Sequence, residues 1–150
     1  NLKIAFIYAS YIEDLIIFHE EPYRYGYSYS NADRVLMHID MELKGADIDA
    51  FVQPDFRGRN VNYFLDILGK QISYPEVDER YAVSGTVYVR FTIDEYGNVI
   101  NPKVVQSVNT QLDMFAVKSI IGIQGWSPAF YENKPVRAHF TVPVKFRYFQ

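Results

Sequence analysis

The first part of the chain has apolar patterns that fit more than one element. Over residues 2–18 the apolar positions recur at helical spacing, which predicts an amphipathic helix. The β-branched and aromatic residues at 4–8 fit a strand equally well. Four tyrosines then alternate with small or polar residues, which predicts a strand with all four rings on one face. They are Tyr23, Tyr25, Tyr27 and Tyr29.

A second helix is expected over residues 32–44, followed by Gly45. Its apolar stripe is Val35, Leu36, Ile39 and Leu43. On this helix His38 and Glu42 lie one turn apart and Asp40 points away. On a strand the three would share a face and could bind a metal. We favour the solvated face of a helix.

The second part of the chain is clearer and begins with a helix over residues 61–72. Its apolar face is Val61, Phe64, Leu65, Leu68 and Ile72. Asn60 or Asn62 can cap its start, and Tyr74 ends it because the residue before a proline avoids helical dihedral angles. A short helical turn is expected over residues 76–82.

A hairpin and a further helix follow. Alternating residues predict strands over 87–93 and 99–107, joined by a turn with Gly97 at positive φ. Thr110 and Asp113 resemble a capping box. The buried face of the helix is Leu112, Phe115, Ala116, Ile120 and Ile123, and Gly125 ends it. Trp126 is expected in the core.

The last strand has the most regular pattern in the chain. Its apolar residues are Val136, Ala138, Phe140, Val142, Val144 and Phe146. Its other face, polar and mostly cationic, is formed by Arg137, His139, Thr141, Pro143, Lys145 and Arg147. Because Pro143 cannot donate a ladder hydrogen bond, the strand is expected at a sheet edge or with a bulge. The predicted fold is α+β, a three-stranded antiparallel sheet with two helices on one face, plus an N-terminal α/β extension.

Charge and composition differ between the two parts of the chain and exclude some classes of function. Residues 1–52 carry four basic and nine acidic groups, and residues 53–150 carry eleven and nine, which together give the net charge of −3. This balance argues against nucleic-acid binding. The Pro- and Gly-containing connector at 53–58 predicts a boundary between an acidic, Tyr-rich extension of unknown role and a domain over 53–150.

Candidate chemistry is sparse. The chain has no cysteine, which excludes disulfides, thiolate zinc sites and a cysteine nucleophile. None of the three histidines, His19, His38 and His139, lies in a recognised catalytic or metal-binding motif. We therefore expect no enzyme activity, no cofactor and no metal.

The motifs of the second part follow one another in an order typical of one family. In the sequence they are Tyr74-Pro75, GTVYVRFTID at 85–94, YGNV at 96–99, VVQS at 104–107, LD at 112–113 with Ala116, WSPA at 126–129, NKPV at 133–136 and FTVPVKF at 140–146. This order resembles the C-terminal domain of TonB, the energy transducer of Gram-negative outer-membrane transport, over residues 54–146. The usual Gly before Lys-Pro-Val is Asn133, which also tolerates left-handed turns.

The resemblance implies a non-enzymatic periplasmic domain that couples inner-membrane energy to outer-membrane transport. Its partner would be an outer-membrane receptor, whose TonB-box peptide adds to the edge of the last strand, residues 137–147. The implied contacts are Arg137, His139, Thr141, Pro143, Lys145 and Arg147, together with the segment before Tyr-Pro, Gln71, Ile72 and Ser73.

Residues 1–52 depart from the family, whose members begin with a membrane helix and a proline-rich linker. Because the sequence starts at Asn1 without an initiator Met, a membrane anchor would lie upstream. The alternative is a structural or sensory protein of the cell envelope that uses the fold for partner docking or as a homodimer. The tyrosines at 23–29 then form either a contact surface or, as we favour, a strand packed on the fold.

Overall fold

The structure, a computed structural model, combines antiparallel strands with two helices. It describes residues 5–9, 15–19, 35–40, 50–71 and 82–148. The strands are β1 (Ala5–Ala9), β2 (Leu15–His19), β3 (Val35–Ile39), β4 (Phe51–Val52), β5 (Asp55–Phe56), β6 (Gly85–Ile93), β7 (Val99–Gln106), β8 (Trp126–Ser127), β9 (Ala129–Tyr131), β10 (Lys134–Val136) and β11 (Ala138–Phe146). The helices are α1 (Val61–Gln71) and α2 (Thr110–Ile121).

The main sheet has six strands in the order β2-β1-β3-β11-β6-β7. All its neighbouring strands are antiparallel. The predicted α+β class with two helices is confirmed, but the sheet is larger than the predicted three strands. The additional strands β1, β2 and β3 come from the first part of the chain. Two small sheets, β10-β9-β4 and β5-β8, connect residues 51–56 to the segment after α2.

The position of β11 differs from the predicted sheet edge. It pairs with β6 along its whole length, from Ala138 opposite Ile93 to Phe146 opposite Gly85. On its other side β3 pairs with residues 138–141. The prediction of an edge strand is therefore wrong. Pro143, which motivated it, lies two residues beyond the described pairing with β3, where a missing backbone donor interrupts no bond to that strand.

One face of the sheet carries both helices and the core. The alternating apolar residues of β6 and β11 all point to this face and are buried, as predicted. Phe64 of α1 lies 5.8 Å from Phe91 between ring centroids, and Phe115 of α2 lies 6.1 Å from Phe146. Trp126 is buried among aromatic rings, which confirms its predicted core position. Those rings are Phe56, Phe64, Phe91 and Phe140.

The predicted helices over residues 2–18 and 32–44 are wrong at the positions that the structure describes. Residues 5–9, 15–19 and 35–39 are strands, whereas the alternative interpretation had anticipated a strand only at residues 4–8. In β3 every residue is buried, so both faces of this strand are covered. A strand buried on both faces loses its alternation and becomes a short apolar run that fits a helix equally well.

Turns and caps follow short-range chemistry. The side chain of Asn60 accepts a hydrogen bond from the backbone N–H of Asn62 at the start of α1. At α2 the cap is Asn109 instead of the predicted Thr110, and the helix ends at Gly122 instead of Gly125. Gly97 has φ +85, as predicted, and a Cβ there would collide with the carbonyl oxygen of Trp126. The hairpin turn thus packs directly on β8.

Several predicted elements fall on residues that the structure does not describe. The tyrosine strand at 23–29, the helix end at Tyr74-Pro75 and nearly all of the turn at 76–82 lie outside the described residues. The division of the chain at residue 52 stays a prediction. Among the described residues, no helix has the length and apolar character needed to cross a membrane.

Candidate functional site

The face of the sheet opposite the helices is also buried at its centre, although its side chains are mostly polar. Because side chains alternate along a strand, the register places residues of β3, β11 and β6 side by side on this face. They are Leu36 and His38 on β3, Thr141 and His139 on β11, and Arg90 and Thr92 on β6. We call these six residues, together with Asp40, the polar face.

His38 and His139 lie directly opposite each other on β3 and β11. Their rings stack with centroids 4.6 Å apart and planes at 26°. Burial, the neighbouring His139 and the positive charge of Arg90 lower the pKa of His38 to about 3, while Asp40 acts in the opposite direction. His38 is therefore neutral at physiological pH.

His139 bridges two oxygen atoms from different strands. Its Nδ1 lies 2.7 Å from Oγ1 of Thr92, and its Nε2 lies 2.9 Å from Oδ2 of Asp40. A carboxylate only accepts hydrogen bonds, so Nε2 of His139 carries the proton and donates it to Asp40. In the neutral ring the Thr92 hydroxyl then donates to Nδ1. Asp40 is half-exposed, with a side-chain exposure of 50%, so this end of the polar face opens to solvent.

Arg90 closes the other end of the network. Its Nη2 lies 2.9 Å from Nε2 of His38. A guanidinium only donates, so Nε2 of His38 accepts this hydrogen bond. The two histidines are therefore held by different partners, His38 by a cation and His139 by an anion.

Three side chains of the polar face carry atoms that metals bind. One ligand atom each of His38, Asp40 and His139 lies within 4.8 Å of the other two. Asp40 directly follows β3, so it shares a face with His38, two residues earlier. It shares His38 and Asp40 with the strand alternative for residues 38–42, but the third member is His139, and Glu42 lies outside the described residues.

The predicted binding residues occupy different surroundings. His139 and Thr141 are buried in the polar face, Pro143 is half-buried, and Lys145 is exposed further along β11. Arg137 and Arg147 flank the strand and are exposed. Gln71 is the exposed last residue of α1, on the helix side of the sheet, while Ile72 and Ser73 lie outside the described residues. The structure therefore groups only His139 and Thr141 with other candidate residues.

Arg137 forms an ion pair that the sequence did not suggest. Its Nε lies 2.7 Å from Oε1 of Glu95 in the β6–β7 turn, and both side chains are at least one third exposed. Exposed pairs of this kind contribute about 1 kcal/mol or less. Arg90 and Thr92 were also not predicted as site residues. The only indication in the sequence is that they occupy the polar alternating positions of β6.

Comparison with known proteins gives one match. The model of the family described as Gram-negative bacterial TonB protein C-terminal matches residues 70–148, just over half of the chain. No curated protein and no solved structure matches the chain. The matched residues include the hairpin, α2 and β11 but not β3.

Proposed function

The chain belongs to the family of Gram-negative TonB C-terminal domains, and on this premise we propose that β11 binds an extended segment of an outer-membrane receptor by strand addition. The family is periplasmic and consists of non-enzymatic domains that interact with outer-membrane proteins. The captured segment would be the TonB box, through which inner-membrane energy reaches the receptor. It would take the place beside residues 138–141 that β3 takes here.

The observation that carries this proposal is the unequal pairing of β11. Its pairing with β6 runs from end to end, whereas β3 is paired in the described residues only with 138–141. A strand that is fully paired on one side and paired over only a short stretch on the other can exchange its short partner, here β3, for a peptide strand. β3 presents the kind of antiparallel partner that an incoming peptide would replace.

Exchange of one strand for another changes few backbone hydrogen bonds. β3 and a peptide would each satisfy the N–H and C=O groups of residues 138–141, so side chains decide which one is preferred. Competition from β3 lowers the apparent affinity for the peptide, because only the fraction of chains in which β3 has left β11 can bind it. A receptor segment must therefore make contacts that β3 does not make.

Positive charge at the end of β11 supplies one such contact. Lys145 and Arg147 are exposed beyond the stretch paired with β3, and both would attract an acidic segment. Arg137, at the other end, pairs with Glu95, and neither its charge nor its exposure is needed for the contact with an acidic segment. We expect an acidic peptide to extend from residue 138 toward Lys145 and Arg147.

A disulfide between β3 and β11 tests this proposal directly. Leu36 and Thr141 are directly opposite, and the chain has no cysteine of its own. The double variant Leu36→Cys/Thr141→Cys should form one disulfide that holds β3 in place. A synthetic TonB-box peptide should shift backbone NMR signals of β11 in the reduced form and leave them unchanged in the oxidised form.

The matched control links β6 to β7 instead. Tyr88→Cys with Gln106→Cys joins another opposite pair and leaves β3 untouched. Its oxidation should not alter peptide binding. Equal binding by both forms of the β3–β11 variant, or no peptide binding by the unmodified chain, would contradict the proposal.

The second candidate is a cell-envelope protein that uses the fold for self-association or docking. It is favoured by β3, a strand of the same chain that occupies β11 at the position expected for a receptor peptide. A stable dimer in analytical ultracentrifugation, together with no response to the peptide, would select this function. A monomer that binds the peptide would reject it.

A further inference from the structure

We propose that His38, Asp40 and His139 form a binding site for one divalent metal ion of the zinc class, held between β3 and β11. The proposal rests on the polar face and not on the proposed peptide binding, which would compete with it because the peptide takes the place of β3. The three residues come from two strands that meet only in the folded chain, so the site exists only when β3 is paired with β11.

The backbone brings the three ligands together. Opposite residues on antiparallel strands have Cβ atoms about 4.5–5.5 Å apart, and this is the relation between His38 and His139. Asp40 is two residues beyond His38 and reaches His139 at 2.9 Å. The ligand atoms already lie within 4.8 Å of each other, so small side-chain rotations bring them around one ion.

The donor set selects the class of metal. Two imidazoles and one carboxylate are ligands that suit Zn²⁺ and related divalent transition ions. Three protein ligands leave a fourth position for water or another ligand. The exposed side of Asp40 provides the route by which the ion enters.

Thr92 completes the site by fixing the His139 ring. When the ion takes Nε2, the ring stays neutral and its proton moves to Nδ1, where the Thr92 hydroxyl lies 2.7 Å away. A hydroxyl can donate or accept, so Thr92 serves both states of the ring. An outer partner of this kind orients a ligating histidine and adds to metal affinity.

Arg90 opposes the ion. Its guanidinium donates to Nε2 of His38, and its positive charge lies beside the site. If His38 binds through Nε2, the ion displaces Arg90. If it binds through Nδ1, the ring proton moves to Nε2, which can then no longer accept from Arg90. Metal binding therefore competes with this hydrogen bond, and removing Arg90 should strengthen it.

Titration with Co²⁺ and Zn²⁺ tests the site. We expect one Co²⁺ per chain with the visible absorption of a tetrahedral ion, displaced by Zn²⁺ and followed by calorimetry. His139→Ala and Asp40→Asn should each weaken binding by at least about tenfold. Asp66→Asn, which removes an exposed carboxylate on α1, is the matched control and should change nothing. Thermal unfolding of each variant verifies that it is folded.

Two further variants distinguish a built site from casual binding to surface histidines. Arg90→Leu should bind Zn²⁺ more tightly, and Thr92→Val should bind it about tenfold more weakly. A loss of fold in a variant cannot produce the gain expected for Arg90→Leu. No Co²⁺ spectrum, equal binding by folded Asp40→Asn, or weaker binding by folded Arg90→Leu would overturn the proposal.

Discussion

The two faces of the central sheet are both buried but are built by opposite means. The face under the helices consists of apolar side chains, among them Val89, Phe91 and Phe140. The polar face consists of side chains joined by hydrogen bonds, such as those of Thr92 and His139. The first is stabilised by removal of apolar area from water, and the second depends on each polar atom retaining a partner.

The two faces should respond differently to substitution. An apolar face loses stability in proportion to the volume removed and the cavity left. A polar face is sensitive to the loss of a single atom, because the group left behind has no water to bind.

Removal of a central ring should break the helix face. Phe140 is buried between Phe91 and Trp126, with ring centroids 5.8 and 5.2 Å away. We expect Phe140→Ala to lower the free energy of unfolding by about 3–5 kcal/mol in chemical denaturation. Phe140→Leu, which keeps much of the volume, should lose much less. Equal losses for the two variants would show that volume does not govern this face.

Loss of one hydroxyl should be felt on the polar face. Thr92→Val keeps the shape of the side chain but removes the donor to Nδ1 of His139. We expect a loss of about 1–3 kcal/mol in the free energy of unfolding, because a buried ring nitrogen is left without its partner. Thr92→Ser retains the hydroxyl and should preserve the NMR signature of the His139 ring. A neutral Thr92→Val would mean that the hydrogen bond carries no net stability.

A smaller effect is expected at the charged side chain of Asp94 in the β6–β7 turn. Burial acts to raise the pKa of Asp94, but hydrogen bonds from the backbone N–H groups of Asn98 and Tyr96 outweigh it and lower the pKa below 3.8. The ionised carboxylate therefore stabilises the fold above pH 3.8, and this contribution is lost as the pH falls through the lowered value. We expect Asp94→Ala to lower the free energy of unfolding by about 1 kcal/mol at pH 7, because two backbone N–H groups lose their acceptor.

Denaturation of the Asp94 variant at several pH values checks the sign. The difference from the unmodified chain should stay constant from pH 7 to about pH 4 and narrow only below pH 3.8, since only the unmodified chain has this carboxylate to protonate. A difference that stays constant below pH 3.8 as well would assign the effect to packing of the turn instead of to its charge.

The apolar sides of β6 and β11 on the helix face could be predicted almost completely from the sequence, whereas Val35, Met37 and Ile39 of β3 could not. Alternation along β11 identified its buried residues from Ala138 to Phe146, and the spacing around Leu112 identified the inner side of α2. These patterns are visible because one side of each element meets apolar partners and the other meets water or polar groups. The observed cap of α2, Asn109, lies one residue before the predicted cap, Thr110.

The polar face could not be predicted in the same way. β3 is buried on both faces, so its sequence lacks the alternation that distinguishes a strand from a helix. The carboxylate of Asp40 and the ring of His139 are 99 residues apart, and no local spacing indicates that they meet. Pro143 also led to the wrong prediction of a sheet edge. A proline fits an inner strand such as β11 because the described pairing with β3 ends before it, at Thr141.

The long separation between β3 and β11 has a consequence for how the chain reaches its fold. β6 and β7 are joined by a short turn and can pair soon after both are made, whereas β3 must wait for a partner from the end of the described chain. Contacts of such high sequence separation slow folding. Until they form, the side of β11 that β3 covers is open to strands of other chains, so slow pairing of β3 leaves this side of β11 exposed to aggregation.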